Sequence, residues 1–258
     1  MFLRKNIFLE LLIDPRPLLI VGQTGSGKTT FIKKLLKKFP SPFLVFDFNN
    51  EYNNFPLIEE VQIKSSEFNT VLPLYLSILL DKTIPQQLLY LVVKKPEDVD
   101  KYISIGFYDR RVLNALKLRL DSFKELVENN GVYTVPIIKM LMPPILRVPY
   151  TALVIAHRLL LKNREIVVLE ETQSLNIQYI AEEGRKANKK FIFITNNIDS
   201  VDLAIINNSI IVLFRSLPRT KFMLGFTESY IQPHKLHFGE FYILNLTSKI
   251  YKKSIRDI

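Results

Sequence analysis

One octapeptide near the start of the chain has the residue types and spacing needed to bind phosphate. It reads Gly22-Gln23-Thr24-Gly25-Ser26-Gly27-Lys28-Thr29 and fits the pattern G-x-x-x-x-G-K-[ST] at every position. Glycines allow the backbone to curl until successive N–H groups point at one phosphate, and a helix that begins near Lys28 adds its positive dipole end. We expect Lys28 to reach the β- and γ-phosphates and the Thr29 hydroxyl to bind Mg²⁺.

Two adjacent carboxylates and one amide stand at the ends of further apolar runs. Glu170 and Glu171 follow four apolar residues, and Asn196 follows a run rich in Phe and Ile. In a nucleotide hydrolase, one acid at such a position holds the Mg²⁺ shell through water, and the next polarises the attacking water. We therefore assign the first role to Glu170 and the second to Glu171. Asn196 is placed to sense the γ-phosphate or to orient water.

Short apolar runs precede these polar residues and predict buried parallel strands, which indicates an α/β fold. The expected strands cover residues 18–21, 43–46, 165–171, 191–195 and 209–214. Apolar residues at helical spacing over 31–36 predict a helix directly after the phosphate loop. Asp47 follows the second strand, at the edge where parallel sheets bind ligands, and is a further site candidate. Alternation within 241–252 predicts a C-terminal β-hairpin.

The middle of the chain, at about residues 58–162, differs in character from the rest. Strand signals are sparse there, and the longest amphipathic segment runs from Arg111 to Glu128. We therefore predict a single phosphate-loop domain, residues 1–258, with a mostly helical insertion at about 58–162. The stretch from Leu88 to Val93 could instead form a strand.

The composition excludes several kinds of site. The chain has 258 residues and no cysteine, so disulfides, zinc–thiolate sites and thiol nucleophiles are ruled out. Its longest apolar runs are far shorter than the roughly 20 residues that a membrane-spanning helix needs, so we expect no span. A reducing cytoplasm is compatible with this composition, and we expect a cytoplasmic protein.

The chain is basic, with 35 Lys and Arg against 25 Asp and Glu and a formal net charge of +10. Such a charge argues for a polyanionic partner beyond the nucleotide. Many of the basic residues occur in pairs: Lys33-Lys34, Lys37-Lys38, Lys94-Lys95, Arg110-Arg111, Lys189-Lys190 and Lys252-Lys253. These pairs fit a nucleic-acid surface and fit ordinary solvated faces equally well, so charge alone leaves both interpretations open.

Four blocks of the sequence resemble the HerA/FtsK superfamily of DNA-translocating ATPases, in particular its HerA branch. They are Gly-Gln-Thr-Gly-Ser-Gly-Lys-Thr at 22–29, Asp-Phe-Asn-Asn-Glu-Tyr at 47–52, Val-Leu-Glu-Glu-Thr-Gln-Ser-Leu at 168–175, and Glu-Gly-Arg-Lys-Ala at 183–187 running into Ile-Thr-Asn-Asn-Ile-Asp-Ser-Val-Asp at 194–202. A later Leu-His-Phe-Gly-Glu at 236–240 is weakly similar to a Leu-x-x-Gly-Glu near the end of that family. Four blocks in the right order are far more specific than the phosphate loop alone.

This resemblance implies a RecA-like core in which the strand of the catalytic glutamate is separated from the phosphate strand. It also implies ATP and Mg²⁺ as cofactors, a homo-oligomeric ring that is hexameric in this family, and ATP-driven movement of double-stranded DNA. Thr29 and Glu170 would serve the metal. The residues that would bind the nucleotide are Gly22, Gln23, Thr24, Gly25, Ser26, Gly27, Lys28, Thr29 and Thr30.

The same resemblance assigns roles to five further residues. Glu171 would be the catalytic glutamate, Asp47 an acid near the attacking water, and Asn196 the sensor. Arg185 is a candidate arginine finger that reaches the γ-phosphate of a neighbouring subunit, where such a residue is worth ~10³ or more in rate. Arg16, just before the first strand, is a second candidate for that role.

The sequence departs from the family pattern at two of these positions. Glu170 stands where aspartate is usual, and Asn196 replaces the usual glutamine. Hydrolysis could therefore be slower, or the geometry could simply readjust. Arg185 also has an alternative reading, as a helix-surface arginine paired with Glu182 or Glu183.

The segment before the phosphate loop is short, since only 21 residues precede Gly22. Family members in chromosome repair or segregation carry a sizeable domain there, so the chain resembles the stripped-down genome-packaging ATPases of double-stranded DNA viruses, including viruses of archaea. Our first hypothesis is a motor that pumps viral DNA into a capsid in the host cytoplasm. A plasmid, conjugative or repair-type DNA pump is the alternative. A third hypothesis, from another class, is a nucleotide-dependent switch or assembly scaffold with little hydrolysis.

Overall fold

A computed structural model of the chain describes twelve stretches of it. They are residues 7–38, 42–47, 51–52, 60–64, 67–79, 101, 110–127, 132–136, 144–170, 175–216, 231–247 and 250–258. The chain divides into two compact units. The first comprises Met1–Phe55, Lys162–Gln173 and Ala181–Ile258, and the second comprises Pro56–Leu161 and Ser174–Ile180.

Strands and helices follow one another along the described residues. The strands are β1 (Leu18–Val21), β2 (Phe43–Phe46), β3 (Glu60–Lys64), β4 (Val132–Pro136), β5 (Glu165–Glu170), β6 (Lys189–Thr195), β7 (Ile210–Leu213), β8 (Glu240–Leu244) and β9 (Tyr251–Ser254). The helices are α1 (Ile7–Ile13), α2 (Lys28–Lys37), α3 (Phe68–Leu79), α4 (Arg110–Val127), α5 (Pro144–Leu160), α6 (Ile177–Lys186) and α7 (Leu203–Asn208), with 3₁₀ turns at Ile198–Ser200, Pro233–Lys235 and Ile255–Asp257. None of these helices combines the length and the apolar character needed to cross a bilayer.

The first unit is built on a seven-stranded sheet with the order β2-β5-β6-β1-β7-β8-β9. The strands from β2 to β7 in this order run parallel. β8 runs antiparallel to β7, and β9 antiparallel to β8. The predicted α/β fold, with its mostly parallel sheet and C-terminal hairpin, is therefore confirmed. β6 lies between β1 and β5, which is the separation of strands that a RecA-like core requires.

Parallel pairing brings the candidate site residues to one edge of this sheet. Val21, the last residue of β1, pairs with Thr195, the last residue of β6. Glu170, the last residue of β5, pairs with Ile194. The phosphate loop, Asn196 and Glu170 therefore leave the sheet at the same edge, where α/β proteins bind their ligands.

The core of the first unit contains aromatic contacts between the sheet and two helices. The ring of Phe31 on α2 packs edge-on against Phe214 at 5.7 Å and against Phe241 at 4.9 Å between centroids. Phe8 on α1 reaches the same Phe241 ring at 6.5 Å. The apolar residues predicted at helical spacing over 31–36 are buried in α2, so the helix that opens at Lys28 is fixed to the sheet by its apolar face.

The second unit contains helices α3, α4 and α5 and an antiparallel pair of strands, β3 and β4. α4 covers Arg110–Val127, within one residue of the amphipathic segment predicted from sequence. Asn176 is hydrogen-bonded to the C-terminal end of α3. Its N–H donates to the Ile78 carbonyl at 2.8 Å, and its side-chain amide donates to the Ser77 carbonyl at 3.2 Å. The possible strand at 88–93 lies outside the described residues. The organisation as one domain with an insertion stays a prediction.

Candidate nucleotide-binding site

The phosphate loop links the end of β1 to the first residue of α2 and is fixed to the strands on both sides. The N–H of Gly22 donates to the Thr195 carbonyl at 3.3 Å, and the N–H of Gln23 donates to the Arg215 carbonyl at 2.8 Å. A Cβ on Gly22 would lie 2.6 Å from Cβ of Phe214, so only glycine fits at the start of the loop. Gly27 has φ +107°, a conformation that favours glycine. The loop therefore has the tight curl that the sequence predicted.

The side chain of Lys28 lies inside this curl. Its ammonium donates to the carbonyls of Gly22 at 2.8 Å and Gln23 at 2.9 Å, and to Oδ1 of Asn196 at 2.8 Å. Burial lowers the pKa of Lys28, while the carboxylates of Glu170 and Glu51 oppose that shift. The structure thus brings together two residues, Lys28 and Asn196, that sequence analysis assigned to the same phosphate.

A cavity of about 430 Å³ opens beside the loop. Its volume lies within the usual range for small-molecule sites. The residues that line it are Thr24, Gly25, Gly27, Lys28, Thr29, Thr30, Glu51, Glu170, Ile194, Thr195, Asn196 and Phe238. Gly22, Gln23 and Ser26 are absent from that lining and shape the loop instead. A lysine, four threonines and two loop glycines lining one cavity fit a nucleoside triphosphate.

Glu170 reaches the cavity from β5 and is held by a tyrosine. The hydroxyl of Tyr52 donates to Oε1 of Glu170 at 3.1 Å. Burial raises the pKa of Glu170 to about 7, and the Tyr52 hydrogen bond opposes that rise. Burial also raises the pKa of Tyr52, so its hydroxyl keeps its proton and donates. With the Thr29 hydroxyl in the same cavity, Glu170 completes a pair of oxygen ligands of the type that Mg²⁺ prefers.

The carboxylate of Asp47 accepts hydrogen bonds from two backbone N–H groups. Its Oδ1 accepts the N–H of Glu51 at 2.8 Å, and its Oδ2 accepts the N–H of Tyr52 at 2.9 Å. Asp47 is buried, with 5% of its surface exposed, and is not part of the cavity lining. Its carboxylate therefore holds the backbone of Glu51, which lines the cavity, and of Tyr52, which bonds to Glu170.

Sequence reasoning gave no role to Glu51 or Tyr52, although both stand in the Asp-Phe-Asn-Asn-Glu-Tyr block. The available signal was their distance from Asp47, since an aspartate four and five residues before two amides can accept both. Glu171 lies outside the described residues, and its role as catalytic glutamate stays a prediction.

The two arginine candidates lie away from the nucleotide cavity of their own chain. The guanidinium of Arg16 binds both oxygens of Asp14, at 2.9 and 2.7 Å, and donates to the Asn245 carbonyl at 2.6 Å. Arg185 is exposed on α6, and no hydrogen bond or ion pair joins its side chain to another described residue. The partner of Glu183 is Lys186, at 2.6 Å, so the alternative pairing of Arg185 with Glu183 is not observed.

Arg185 borders a second cavity, of about 260 Å³, near the start of β6. This is the edge of the sheet opposite to the phosphate loop, because Asn196 follows the other end of β6. Asp14, the partner of Arg16, lines the same cavity. Both arginine candidates are therefore grouped on the side of the first unit that faces away from its own nucleotide cavity.

The glycine of the Glu-Gly-Arg-Lys block, Gly184, allows close packing between α6 and β6. A Cβ on Gly184 would overlap the ring of Phe191 on β6. Glycine at this position allows α6 to lie directly on the strand that ends at Asn196. The block thus sets how closely the helix that carries Arg185 approaches the sheet.

The basic pair Lys189-Lys190 forms neither a nucleic-acid surface nor a solvated face. Both residues are buried, at 4% and 6% exposure. The ammonium of Lys189 lies 3.4 Å from Glu165. The ammonium of Lys190 donates to the carbonyls of Asp14 and Arg16. This pair therefore holds the start of β6 to its surroundings, and the sequence-based expectation of an exposed pair was wrong here.

Residues 13–134 match the family described as the central domain of the helicase HerA. The match spans the phosphate loop and the Asp-Phe-Asn-Asn-Glu-Tyr block and covers just under half of the chain. The predicted resemblance to HerA/FtsK-type P-loop ATPases is confirmed. No curated protein matches the sequence.

Two solved structures are similar to this chain. VirB4 of Thermoanaerobacter pseudethanolicus has a TM-score of 0.56 at 14% identity, with 92% of this chain and 88% of that one covered. The genome packaging NTPase B204 from Sulfolobus turreted icosahedral virus 2, in complex with AMPPCP, has a TM-score of 0.44 at 15% identity, with 93% and 98% covered. At this identity the likeness to VirB4 shows the fold alone.

Proposed function

We propose that this chain is an ATPase that uses hydrolysis to move double-stranded DNA. The observation that carries the proposal is the convergence of Lys28, Glu170 and Asn196 on one cavity from three neighbouring strand ends. The match to the HerA central domain supports the choice of DNA as the cargo. The net charge of +10 supports a polyanionic partner.

In the proposed reaction, each residue of the cavity has a limited task. Lys28 leaves its carbonyl partners and binds the β- and γ-phosphates together with the amides of the loop. Thr29 and Glu170 would hold Mg²⁺, which would neutralise charge that develops on the phosphates. Glu171 takes a proton from the attacking water, and Asn196 orients that water or senses the γ-phosphate. Asp47 contributes by holding the backbone of Glu51 and Tyr52.

We further propose that hydrolysis is shared between subunits of a ring, taken as a hexamer from the family resemblance. Arg185 is the better candidate for an arginine finger, since it is exposed and without a bond to the described residues. Arg16 is the weaker candidate, because Asp14 and the Asn245 carbonyl occupy its guanidinium. Both lie where only another subunit could bring a nucleotide to them.

The finer proposal is that the cargo is a viral genome and that the motor docks on a capsid or another packaging protein in the host cytoplasm. Its support is the sequence resemblance to packaging ATPases. A plasmid, conjugative or repair-type pump is the alternative with the same chemistry. The third candidate, a nucleotide-dependent switch, is favoured by one observation: Asn196 stands in place of the usual glutamine, and its Oδ1 accepts a hydrogen bond from the Lys28 ammonium at 2.8 Å.

The test is ATP hydrolysis by the purified protein with and without duplex DNA, with the particle mass recorded in each condition. We expect duplex-stimulated turnover that Lys28→Ala abolishes, and that Arg185→Ala abolishes in a ring-sized particle. Arg256→Ala, an exposed arginine outside the cavity lining, is the matched control and should keep turnover. Negligible turnover at every DNA concentration would refute the motor and favour the switch.

DNA binding is tested separately by the dependence of affinity on salt. If basic side chains neutralise phosphates, the log–log slope should be about −0.9 for each phosphate neutralised. The pair to vary first is Lys37-Lys38, which is exposed, whereas Lys189-Lys190 is buried and should be left intact. A flat salt response would show that these pairs are only solvated surface.

A further inference from the structure

An exposed aromatic residue, Phe238, stands beside the phosphate loop. Its side chain is 70% exposed, although it is among the largest apolar side chains of the protein. It lines the same 430 Å³ cavity as Lys28, Thr29 and Glu170. A ligand that covered this ring would remove apolar surface from water, which is favourable.

Phe238 lies on a short turn that is fixed to the phosphate loop. Its neighbour Gly239 donates its N–H to the Ser26 carbonyl at 3.1 Å, and the N–H of Ile255 donates to the Gly239 carbonyl at 2.8 Å. A Cβ on Gly27 would lie 2.8 Å from Cδ1 of Ile255, so the turn, the loop and Ile255 are in close contact. The aromatic ring therefore belongs to a turn whose backbone is hydrogen-bonded to the phosphate loop.

The order of the strands places Phe238 at the opposite end of the cavity from the catalytic candidates. β5 and β6, which deliver Glu170 and Asn196, lie on one side of β1. β7 and β8 lie on the other side, and Phe238 comes two residues before β8. A nucleoside triphosphate is elongated, so with its γ-phosphate near Asn196 its base extends towards β8.

We propose that Phe238 stacks on the base of the bound nucleotide and favours a purine. This inference rests on the proposed function, because it requires that the cavity binds a nucleoside triphosphate. The ring offers a flat π-face without hydrogen-bonding groups, so it selects for ring area, which is larger in a purine than in a pyrimidine. Stacking between bases and aromatic side chains changes affinity by roughly tenfold on alanine substitution.

The test is equilibrium binding of Mg²⁺-ATP and of Mg²⁺ with inorganic tripolyphosphate, measured by titration calorimetry. Tripolyphosphate is the matched probe, because it has the phosphates and lacks the base. We expect Phe238→Ala to weaken ATP binding roughly tenfold and to leave tripolyphosphate binding within about twofold. Phe238→Tyr should retain ATP affinity, and Phe238→Leu, which is apolar but cannot stack as well, should lie between the two. The preference for ATP over CTP should shrink in Phe238→Ala.

The control variant is Leu203→Ala, which removes an exposed apolar side chain outside the cavity lining and should change neither affinity. The inference is overturned if Phe238→Ala weakens ATP and tripolyphosphate equally, or if the wild type binds ATP no more tightly than tripolyphosphate. It is also overturned if Phe238→Ala only lowers the particle mass, since the ring would then belong to a contact between copies.

Binding and turnover separate this inference from the proposed function. Calorimetry needs no hydrolysis, so a base-dependent contribution of Phe238 can be present in a protein that shows no DNA-stimulated turnover. That combination would support the stacking role and refute the translocase. DNA-stimulated turnover without any effect of Phe238→Ala on ATP affinity would support the translocase and refute the stacking role.

Discussion

The ammonium of Lys28 lies 2.8 Å from Oδ1 of Asn196, so the phosphate-binding lysine and the candidate sensor are joined directly. Two carbonyls of the phosphate loop complete the shell of the ammonium. Nucleotide binding must exchange at least part of this shell for phosphate oxygens. The hydrogen bond between Asn196 and Lys28 is therefore coupled to phosphate binding by Lys28.

We expect Asn196→Ala to lower the free energy of unfolding of the nucleotide-free protein by about 1 kcal/mol, the usual net worth of one hydrogen bond. The deficit should shrink with a saturating non-hydrolysable ATP analogue, because Lys28 then has phosphate partners. Urea unfolding with and without the analogue measures both values.

The matched control for that experiment is Asn197→Ala. Asn197 caps the following 3₁₀ turn through its Oδ1, which accepts the N–H of Asp199 at 2.9 Å. Its loss should destabilise the protein equally in both conditions. An equal deficit for Asn196→Ala in both conditions would contradict the coupling of Asn196 to Lys28.

We expect Tyr52→Phe to weaken the use of Mg²⁺. The variant loses the hydroxyl that donates to Glu170, so the carboxylate loses the contact that orients it. The Mg²⁺ concentration for half-maximal ATP turnover should rise severalfold, with a smaller change in the KM for ATP. Tyr75→Phe is the control, since that buried tyrosine donates to the Arg119 carbonyl in the second unit. Unchanged Mg²⁺ dependence in Tyr52→Phe would show that Glu170 needs no such support.

We expect Gly184→Ala to destabilise the first unit by ~1–3 kcal/mol, because the new methyl group overlaps the ring of Phe191. Adding Phe191→Leu should recover part of the loss by opening space beneath α6. Urea unfolding of the two single variants and the double variant measures the coupling. Purely additive losses would contradict a direct contact between the two residues.

The stability of the protein should depend on pH through Lys190. Burial lowers the pKa of Lys190 to about 7, while the charge of Asp14 opposes this shift. In the unfolded chain the pKa of lysine is about 10.4, so between pH 7 and pH 10 the unfolded state binds more protons. Stability should therefore rise with pH over this window, by up to ~1 kcal/mol per unit from this residue.

Lys190→Met removes that contribution, so the difference in free energy of unfolding between this variant and the wild type should change between pH 7 and pH 9. Compared with the wild type, the variant should be relatively more stable at pH 7 than at pH 9. Lys235→Met, at an exposed position, should follow the wild type at both values. A difference between wild type and Lys190→Met that is constant with pH would contradict a depressed pKa.

Local patterns in the sequence were sufficient for the sheet and the phosphate loop. Apolar runs such as 18–21 and 191–195 are strands because their short, nearly continuous apolar stretches are buried on both faces of a parallel sheet. The loop between Gly22 and Lys28 needs glycines at fixed positions, and this requirement is visible in one short motif. The C-terminal hairpin is likewise encoded by neighbouring residues.

The roles of Asp47 and of Lys189-Lys190 required the tertiary structure. An acid at a strand end can face a ligand or accept backbone amides, and only the structure shows that Asp47 accepts those of Glu51 and Tyr52. A basic pair looks the same in sequence whether it is exposed or buried. Its burial depends on carbonyls of Asp14 and Arg16, which are remote in the chain.

The sequence by itself determined the phosphate-loop motif, because binding of a phosphate and its metal imposes a local spacing of glycine, lysine and hydroxyl. The tertiary structure alone decided that Tyr52 supports Glu170, that Asn196 holds Lys28, and that Phe238 stands at the other end of the cavity. These relations join residues more than a hundred positions apart. They arise from the order of strands in the sheet, which depends on packing between distant segments, and no periodicity along the chain records that order.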